Sequence, residues 1–150
     1  MTLLKRLTDD LHAAMKAGDA KKRDILRFAI TAFKNETVSL QHELTDAEAE
    51  TVLTRVVKQL NQAGEEYQKL GDSARAEEER SQAEILKVYL PEPLTEAELI
   101  SLVDTAISET GATDIKSLGQ VIQAVKTQAG NRVDGGKLAT LVREKLTQKE

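Results

Sequence analysis

The segment 130–137 (Gly-Asn-Arg-Val-Asp-Gly-Gly-Lys) holds residue types that bind phosphate, because three glycines stand beside an arginine and a lysine. A nucleotide-binding phosphate loop needs Gly, four further residues, then Gly-Lys and a Ser or Thr, all after a strand. Here a leucine follows the lysine and no strand pattern precedes the segment, so we expect no such loop. Glycines at a helix N-terminus can nevertheless leave backbone N–H groups free to bind an anion. The alternative is that Gly135 and Gly136 only make a turn while Asp134 caps the helix. The sequence does not decide between the anion site and the capped turn.

Residues suited to nucleophilic, acid–base or metal chemistry are sparse. The chain has no cysteine, which excludes disulfides, thiolate zinc sites and a cysteine nucleophile. A nucleophilic Ser or Thr usually needs a histidine base, but His12 and His42 both stand among polar residues, as ordinary surface histidines do. The glutamates at 77–79 are adjacent, so on a helix they point in different directions and form no shared carboxylate site. We therefore expect no catalytic residue, no metal and no cofactor.

The net charge of −4 is unevenly distributed. Residues 37–100 carry six Lys/Arg against fourteen Asp/Glu, whereas residues 115–150 carry seven against three. A basic end favours an anionic partner, although solvated helix faces produce the same pattern. The seven cations are Lys116, Lys126, Arg132, Lys137, Arg143, Lys145 and Lys149.

Apolar residues recur at helical spacing along nearly the whole chain, and no segment alternates as a strand does. The spacing places Leu4, Leu7, Leu11 and Met15 on one face of a first helix. The corresponding face of the second helix carries Ile25, Phe28, Ala29, Ala32 and Phe33. The sequence therefore predicts an all-α fold.

Helix starts are marked by capping boxes, in which Ser or Thr is followed three residues later by Glu or Gln. Thr45, Thr95 and Ser117 begin such patterns. Glycines at 18, 71, 111 and 130 stand where helices are expected to end, because glycine adopts the left-handed conformation of a C-terminal cap.

The strongest domain boundary follows residue 90, where Pro91 and Pro93 disfavour helix in the residues before them. We predict an N-terminal long-helix unit over residues 1–92 and a compact three-helix tail over residues 93–150. Residues 73–84 are nearly all Ala and charged, so we expect that helix to be exposed or to bridge the two units.

No apolar run is long enough for a secretory signal or a membrane span, so we expect a cytoplasmic protein without a membrane partner. Aromatic residues are only 3% of the chain. Because recognition of single-stranded RNA usually stacks bases on aromatics, any RNA bound here would be recognised by shape and backbone charge.

Several segments, in order and at family-like spacing, resemble the YqeY proteins. They are residues 22–27, 34–36, 57–59, 84–91, 111–112, 118–122 and 133–135. The resemblance implies a helical N-terminal unit joined to a three-helix tail. The same pair of units is similar to the C-terminal part of GatB, a subunit of the tRNA-dependent amidotransferase, whose tail holds tRNA while the chemistry takes place elsewhere.

The resemblance implies a non-catalytic, tRNA-binding accessory module. The residues expected to bind RNA are Lys116, Gly119, Lys126, Arg132, Gly135, Lys137 and Arg143. One alternative is a protein–protein adaptor that docks on an aminoacyl-tRNA synthetase or an amidotransferase. Another is a carbon–nitrogen ligase with glutamine as amido-N-donor, an activity associated with the family, although no glutaminase nucleophile or ATP loop is visible in the sequence.

Overall fold

The computed structural model describes residues 1–148, and within them every regular element is a helix. The α-helices are α1 (Leu3–Ala17), α2 (Ala20–Leu40), α3 (Asp46–Lys69), α4 (Ser73–Lys87), α5 (Glu96–Thr110), α6 (Leu118–Ala129) and α7 (Gly135–Gln148). Short 3-10 helices cover Ile115–Ser117 and Gly130–Arg132. No strand occurs in residues 1–148, so the predicted all-α class is confirmed.

Local capping signals determine most helix ends. The Thr45 hydroxyl accepts a hydrogen bond from the Glu48 N–H at 3.2 Å, and the Glu48 carboxylate accepts one from the Thr45 N–H at 3.4 Å. Thr95 and Glu98 form the same reciprocal pair, so both predicted boxes are confirmed. The third is wrong, because Ser117 makes no cap and the Asp114 carboxylate accepts the Lys116 N–H instead.

The chain divides into two compact units, Met1–Leu90 and Pro91–Glu150. In the first unit, α1 to α4 surround a core whose largest fully buried side chains are Leu7, Leu26, Phe33, Leu53 and Leu86. In the second, α5 to α7 surround a separate core that includes Val103, Val121, Val125, Leu138, Val142 and Leu146. The predicted domains, an N-terminal one over residues 1–92 and a C-terminal one over residues 93–150, stay a prediction.

Helix α4 is partly buried within the first unit, whereas its composition predicts an exposed or bridging helix over residues 73–84. Ala76 and Ala83 are completely buried within the first unit. A Cβ on Gly64 of α3 would lie 3.2 Å from the Arg80 Cγ and 3.3 Å from the Ala76 carbonyl oxygen. Small residues on both helices therefore let the backbones approach closely, and this packing leaves no large apolar residue for a sequence pattern to detect.

Two predicted helix faces are also wrong in part. Leu4 is 43% exposed and Met15 is 48% exposed, because the buried side of α1 is instead formed by Leu3, Leu7 and Ala14. On α2, Phe28 is 55% exposed although its neighbours in the predicted stripe are buried or partly buried. Large apolar side chains are thus left at the surface of the first unit.

Tyr89, near the C-terminal end of the first unit, contacts two residues of α1. Its ring is buried under the Arg6 guanidinium, 5.3 Å from the ring centroid, and its hydroxyl donates a short hydrogen bond to Asp10. Burial raises the pKa of Tyr89 well above its usual range. The Asp10 carboxylate adds to this shift, because it accepts the hydrogen bond that the Tyr89 hydroxyl donates. The folded state therefore holds this proton more tightly than the unfolded chain does.

We expect Tyr89→Phe to lower the free energy of unfolding by about 1–2 kcal/mol, because Asp10 loses its donor. The folded pKa is raised, so this contribution is present below the unfolded tyrosine pKa of about 10 and is lost as the pH rises above it. Urea titrations between pH 7 and pH 11 should therefore show a steeper alkaline loss in the wild type than in the variant. Tyr67→Phe is the matched control, and equal effects of the two substitutions would contradict the assignment.

Candidate nucleic-acid interface

The predicted RNA-binding residues all belong to the second unit, where α6, α7 and the two short 3-10 helices carry them. Lys116 lies in Ile115–Ser117, Gly119 and Lys126 in α6, Arg132 in Gly130–Arg132, and Gly135, Lys137 and Arg143 in α7. Lys149, counted with the basic end, lies outside the described residues.

Four of the predicted cations are exposed and make no ion pair with any described residue. They are Lys116, Lys126, Lys137 and Arg143. The other cation of α7, Lys145, lies 3.3 Å from the Asp104 carboxylate of α5 and is neutralised by it. Unpaired cations are the ones whose charge is available to an external phosphate.

Lys126 reaches over the start of α7. Its Nζ lies 3.7 Å from the position that a Cβ on Gly135 would occupy, which is ordinary van der Waals contact, so the ammonium group lies directly against this turn. Lys137 follows two residues later on the same first turn. The N-terminus of a helix carries a partial positive charge, and at this one the Asp134 carboxylate lies at the same turn as the two lysines.

The backbone amides of that turn do not form the anion site that the sequence left open. The Asp134 carboxylate accepts the Gly136 N–H at 2.7 Å and the Lys137 N–H at 3.1 Å. Asp134 therefore caps α7, as the alternative interpretation expected, and the two donors are already used. Any phosphate held here must be bound by side chains, with Lys126 and Lys137 as the nearest donors.

Lys116 and Gly119 lie at the opposite end of α6. A Cβ on Gly119 would meet no atom within 4 Å, so this first turn has an open surface. Gly119 and Lys126 are seven residues apart and share a face of α6, about 10 Å from each other along the axis. Helix α7 contacts the Ile115–Ser117 turn, which carries Lys116. The exposed cations are spread over this turn, α6 and α7 rather than gathered in one cluster.

A family model described as Yqey-like protein matches residues 4–146. The chain belongs to the YqeY family. No curated protein matches the chain.

Arg132 has a different position from the other cations of this YqeY protein. Its Nε–H donates to the Glu92 carbonyl at 2.9 Å, and its guanidinium lies 3.9 Å from the Glu98 carboxylate. Its own carbonyl accepts the Leu94 N–H at 2.8 Å. Arg132 thus ties the segment before α5 to the turn before α7. This arrangement gives the predicted RNA-binding residue a positioning role within the second unit.

We expect Arg132→Ala to lower the free energy of unfolding by about 1 kcal/mol, since one hydrogen bond and one exposed ion pair are lost. Thermal unfolding followed by circular dichroism measures this loss. Substitution of Lys116, which has no described ion-pair partner, is the control and should leave the melting temperature unchanged. An unaltered melting temperature for Arg132→Ala would show that its contacts do not hold the segment.

Two kinds of feature, a metal-binding group and a membrane-spanning helix, are not found in the described part of the YqeY chain. Within residues 1–148, no three His, Asp or Glu side chains are grouped so that they could hold a metal ion. None of the helices in the same range is long and apolar enough to cross a membrane.

The sequence did not indicate a cleft in the first unit, which lies at the start of α1, the second half of α2 and the start of α3 and is lined by Lys34 and Val38 among others. The available signal was Val38 itself, a large apolar residue that fits no buried stripe of α2. A single exposed apolar residue is common, so the sequence alone did not distinguish it.

Proposed function

We propose that this YqeY protein is a non-catalytic accessory module that binds folded RNA, and tRNA in particular, through the α6–α7 side of its second unit. The observation that carries the proposal is the series of exposed, unpaired cations at Lys116, Lys126, Lys137 and Arg143. Their spacing along two helices suits the phosphates of a structured backbone, because phosphate contacts supply most of the sequence-independent affinity.

The distribution of charge in the second unit supports one binding face. Helix α5 holds Glu96, Glu98, Asp104 and Glu109 and no Lys or Arg. Residues 118–148 hold five Lys/Arg against Asp134 and Glu144. A phosphate backbone is therefore attracted to the α6–α7 side and repelled by α5, which orients the protein on the RNA.

The choice of tRNA over other polyanions comes from the similarity of YqeY proteins to the GatB tail. In this proposal residues 93–150 are a three-helix tail domain that holds RNA, residues 1–92 are a long-helix unit, and the protein works in the cytoplasm beside translation enzymes. Gly119 lies on the uncovered first turn of α6, and Gly135 lies beneath the Lys126 ammonium group at the start of α7. Arg132 supports the site from within the unit.

A filter-binding titration of the full chain against bulk tRNA tests the proposal. We expect retention of tRNA at about 50 mM salt and its loss by about 200 mM, because counterion release dominates such binding. A 76-nucleotide poly-uridylate strand is the matched competitor, since it carries the same charge without the fold. Failure to retain tRNA at the lower salt concentration would contradict the proposal.

The carbon–nitrogen ligase alternative is tested separately. That activity needs ammonia released from glutamine and an activated tRNA-linked carboxyl, and in this proposal other proteins supply both. We therefore expect no glutamate release when the purified chain is incubated with glutamine, ATP and glutamyl-tRNA. Sustained release above a heat-treated control would instead assign catalysis to the chain.

A further inference from the structure

The exposed face of α6 is formed by small and uncharged polar residues together with one cation. The exposed residues that share this face at helical spacing are Gly119, Gln120, Gln123, Lys126 and Thr127. The opposite face, with Val121 and Val125, is buried in the core of the second unit. No aspartate or glutamate occurs within α6. This face therefore carries no charge of its own that repels a phosphate backbone.

Two glutamine side chains in the middle of this face have unused hydrogen-bonding groups. Neither the Gln120 nor the Gln123 amide makes a hydrogen bond with any residue between 1 and 148. Each amide offers a carbonyl oxygen that accepts and an NH₂ group that donates. The Thr127 hydroxyl differs, because it already donates to the Gln123 backbone carbonyl oxygen at 2.9 Å. The two glutamines are thus the groups on this face best able to bind a neutral polar ligand.

A cation lies at each end of this row of amides. Lys116 precedes α6 and Lys126 lies in its last turn, ten residues later and about 15 Å away along the axis. Both are exposed, and neither belongs to an ion pair within the described chain. A polynucleotide laid along α6 would therefore meet a lysine at either end and the two amides between them.

The carboxylates closest in sequence to this face lie beyond its two ends. Asp114 accepts the Lys116 N–H at 2.9 Å, and Asp134 accepts the Gly136 and Lys137 N–H groups. These caps hold both side chains at turns outside α6, so the middle of the face is left without charge. Any contact that a polynucleotide makes there must depend on hydrogen bonds.

One uncharged group of RNA suits a pair of amides on a helix face. The 2′-hydroxyl both donates and accepts, and every nucleotide of RNA carries one. A double-stranded stem displays these hydroxyls in a wide, shallow minor groove, and proteins recognise such stems largely through them and through the phosphates. DNA has the same phosphates but no 2′-hydroxyl, so amide contacts at this group would distinguish the two polymers.

We propose that Gln120 and Gln123 bind ribose 2′-hydroxyls in the minor groove of an RNA stem, while Lys116 and Lys126 bind phosphates beside them. This inference rests on the proposed binding of folded RNA and adds the reason why the second unit selects RNA over DNA. The glutamines supply the selection, and the lysines supply affinity that any polynucleotide can use.

Three labelled stems of one sequence, each of about 16 base pairs, test this on the full chain by fluorescence anisotropy. One is RNA, one is RNA with 2′-fluoro in place of every 2′-hydroxyl, and one is DNA. The 2′-fluoro stem keeps the A-form shape, the phosphates and the base edges, and lacks only the hydroxyls. We expect the 2′-fluoro and DNA stems to bind at least about threefold more weakly than RNA.

The double variant Gln120→Ala, Gln123→Ala assigns the selection to these residues. Its affinity for the RNA stem should fall at least about threefold, while its affinities for the other two stems stay unchanged. Alanine favours helix more than glutamine does, so the variant should fold. Gln128→Ala is the matched control, because Gln128 is exposed about 140° around α6 from Gln123, and it should change nothing. Lys126→Ala should weaken all three stems alike.

Two results would overturn this inference and leave RNA binding by the second unit in place. One is equal affinity of the wild type for the RNA and 2′-fluoro stems, which would mean that shape and phosphates suffice. The other is a double variant that loses affinity for all three stems equally. A wild-type chain that binds neither the RNA stem nor tRNA would overturn the proposed function, and this inference with it.

Discussion

Replacing both Lys126 and Lys137 with glutamate is expected to lower the affinity for tRNA by at least about tenfold at low salt. These two side chains are exposed and lack described ion-pair partners, and the Lys126 ammonium group lies against the first turn of α7, to which Lys137 belongs. Each lost phosphate contact also reduces the salt dependence of the affinity by about one unit of slope. Filter binding across a series of salt concentrations measures both effects.

The same double substitution is expected to change the melting temperature little. A glutamate at position 137 lies on the first turn of α7, where the helix dipole favours a carboxylate, typically by about 0.3–1 kcal/mol, whereas Lys126 lies in the last turn of α6, where the dipole favours a cation by a similar amount. Loss of binding without loss of stability would mark the two lysines as residues retained for a ligand. A matched double reversal at Lys58 and Lys69, exposed cations of α3, controls for net charge. Equal loss of tRNA affinity in both double variants would contradict a site on α7.

The substitution Ala76→Asp is expected to lower the free energy of unfolding by about 3 kcal/mol or more. Ala76 is completely buried where α4 packs on Gly64 of α3, so an aspartate there takes a carboxylate out of water, and pairing with Arg80, four residues later, compensates only part of that cost. Overpacking against the α3 backbone adds to the loss. Chemical denaturation of the full chain, followed by circular dichroism, measures the change.

Ala74→Asp is the matched control, because Ala74 lies on the same first turns of α4 but is exposed. We expect a change within about 0.5 kcal/mol for that variant. Similar stabilities for the two variants would mean that α4 is solvent-exposed, as its composition had indicated.

Helix ends were predictable because their signals are local. Thr45 and Thr95 each reach a glutamate three residues away, and Gly18 and Gly111 adopt φ angles of +71° and +69° at helix ends. These interactions lie within a few residues of one chain segment, so a sequence window contains all of their parts.

The packing of α4 was not predictable, because its buried face consists of alanines. Ala76 and Ala83 provide no apolar contrast, and their burial depends on Gly64, which lies on another helix. Phe28 shows the opposite error, because the spacing predicts a buried residue and the structure has an exposed one. Its spacing fits a buried stripe, yet the surrounding helices do not cover it.

The candidate site was predictable in its composition but not in the role of each residue. The sequence located the cations and the glycine turns, while the capping of α7 by Asp134 remained one of two alternatives. The contacts of Arg132 depend on Glu92 and Glu98, which are more than thirty residues away in the chain. Such tertiary partners decide which cations are free, and only the folded structure shows them.

The salt dependence of tRNA affinity, measured on the wild type and on the single variants Lys126→Ala and Lys137→Ala, shows whether these two lysines bind RNA phosphates. We expect the affinity of the wild type to fall steeply with salt and each variant to flatten the slope by about one unit. A slope that stays the same in both variants, or a wild-type chain that retains no tRNA at low salt, would contradict it.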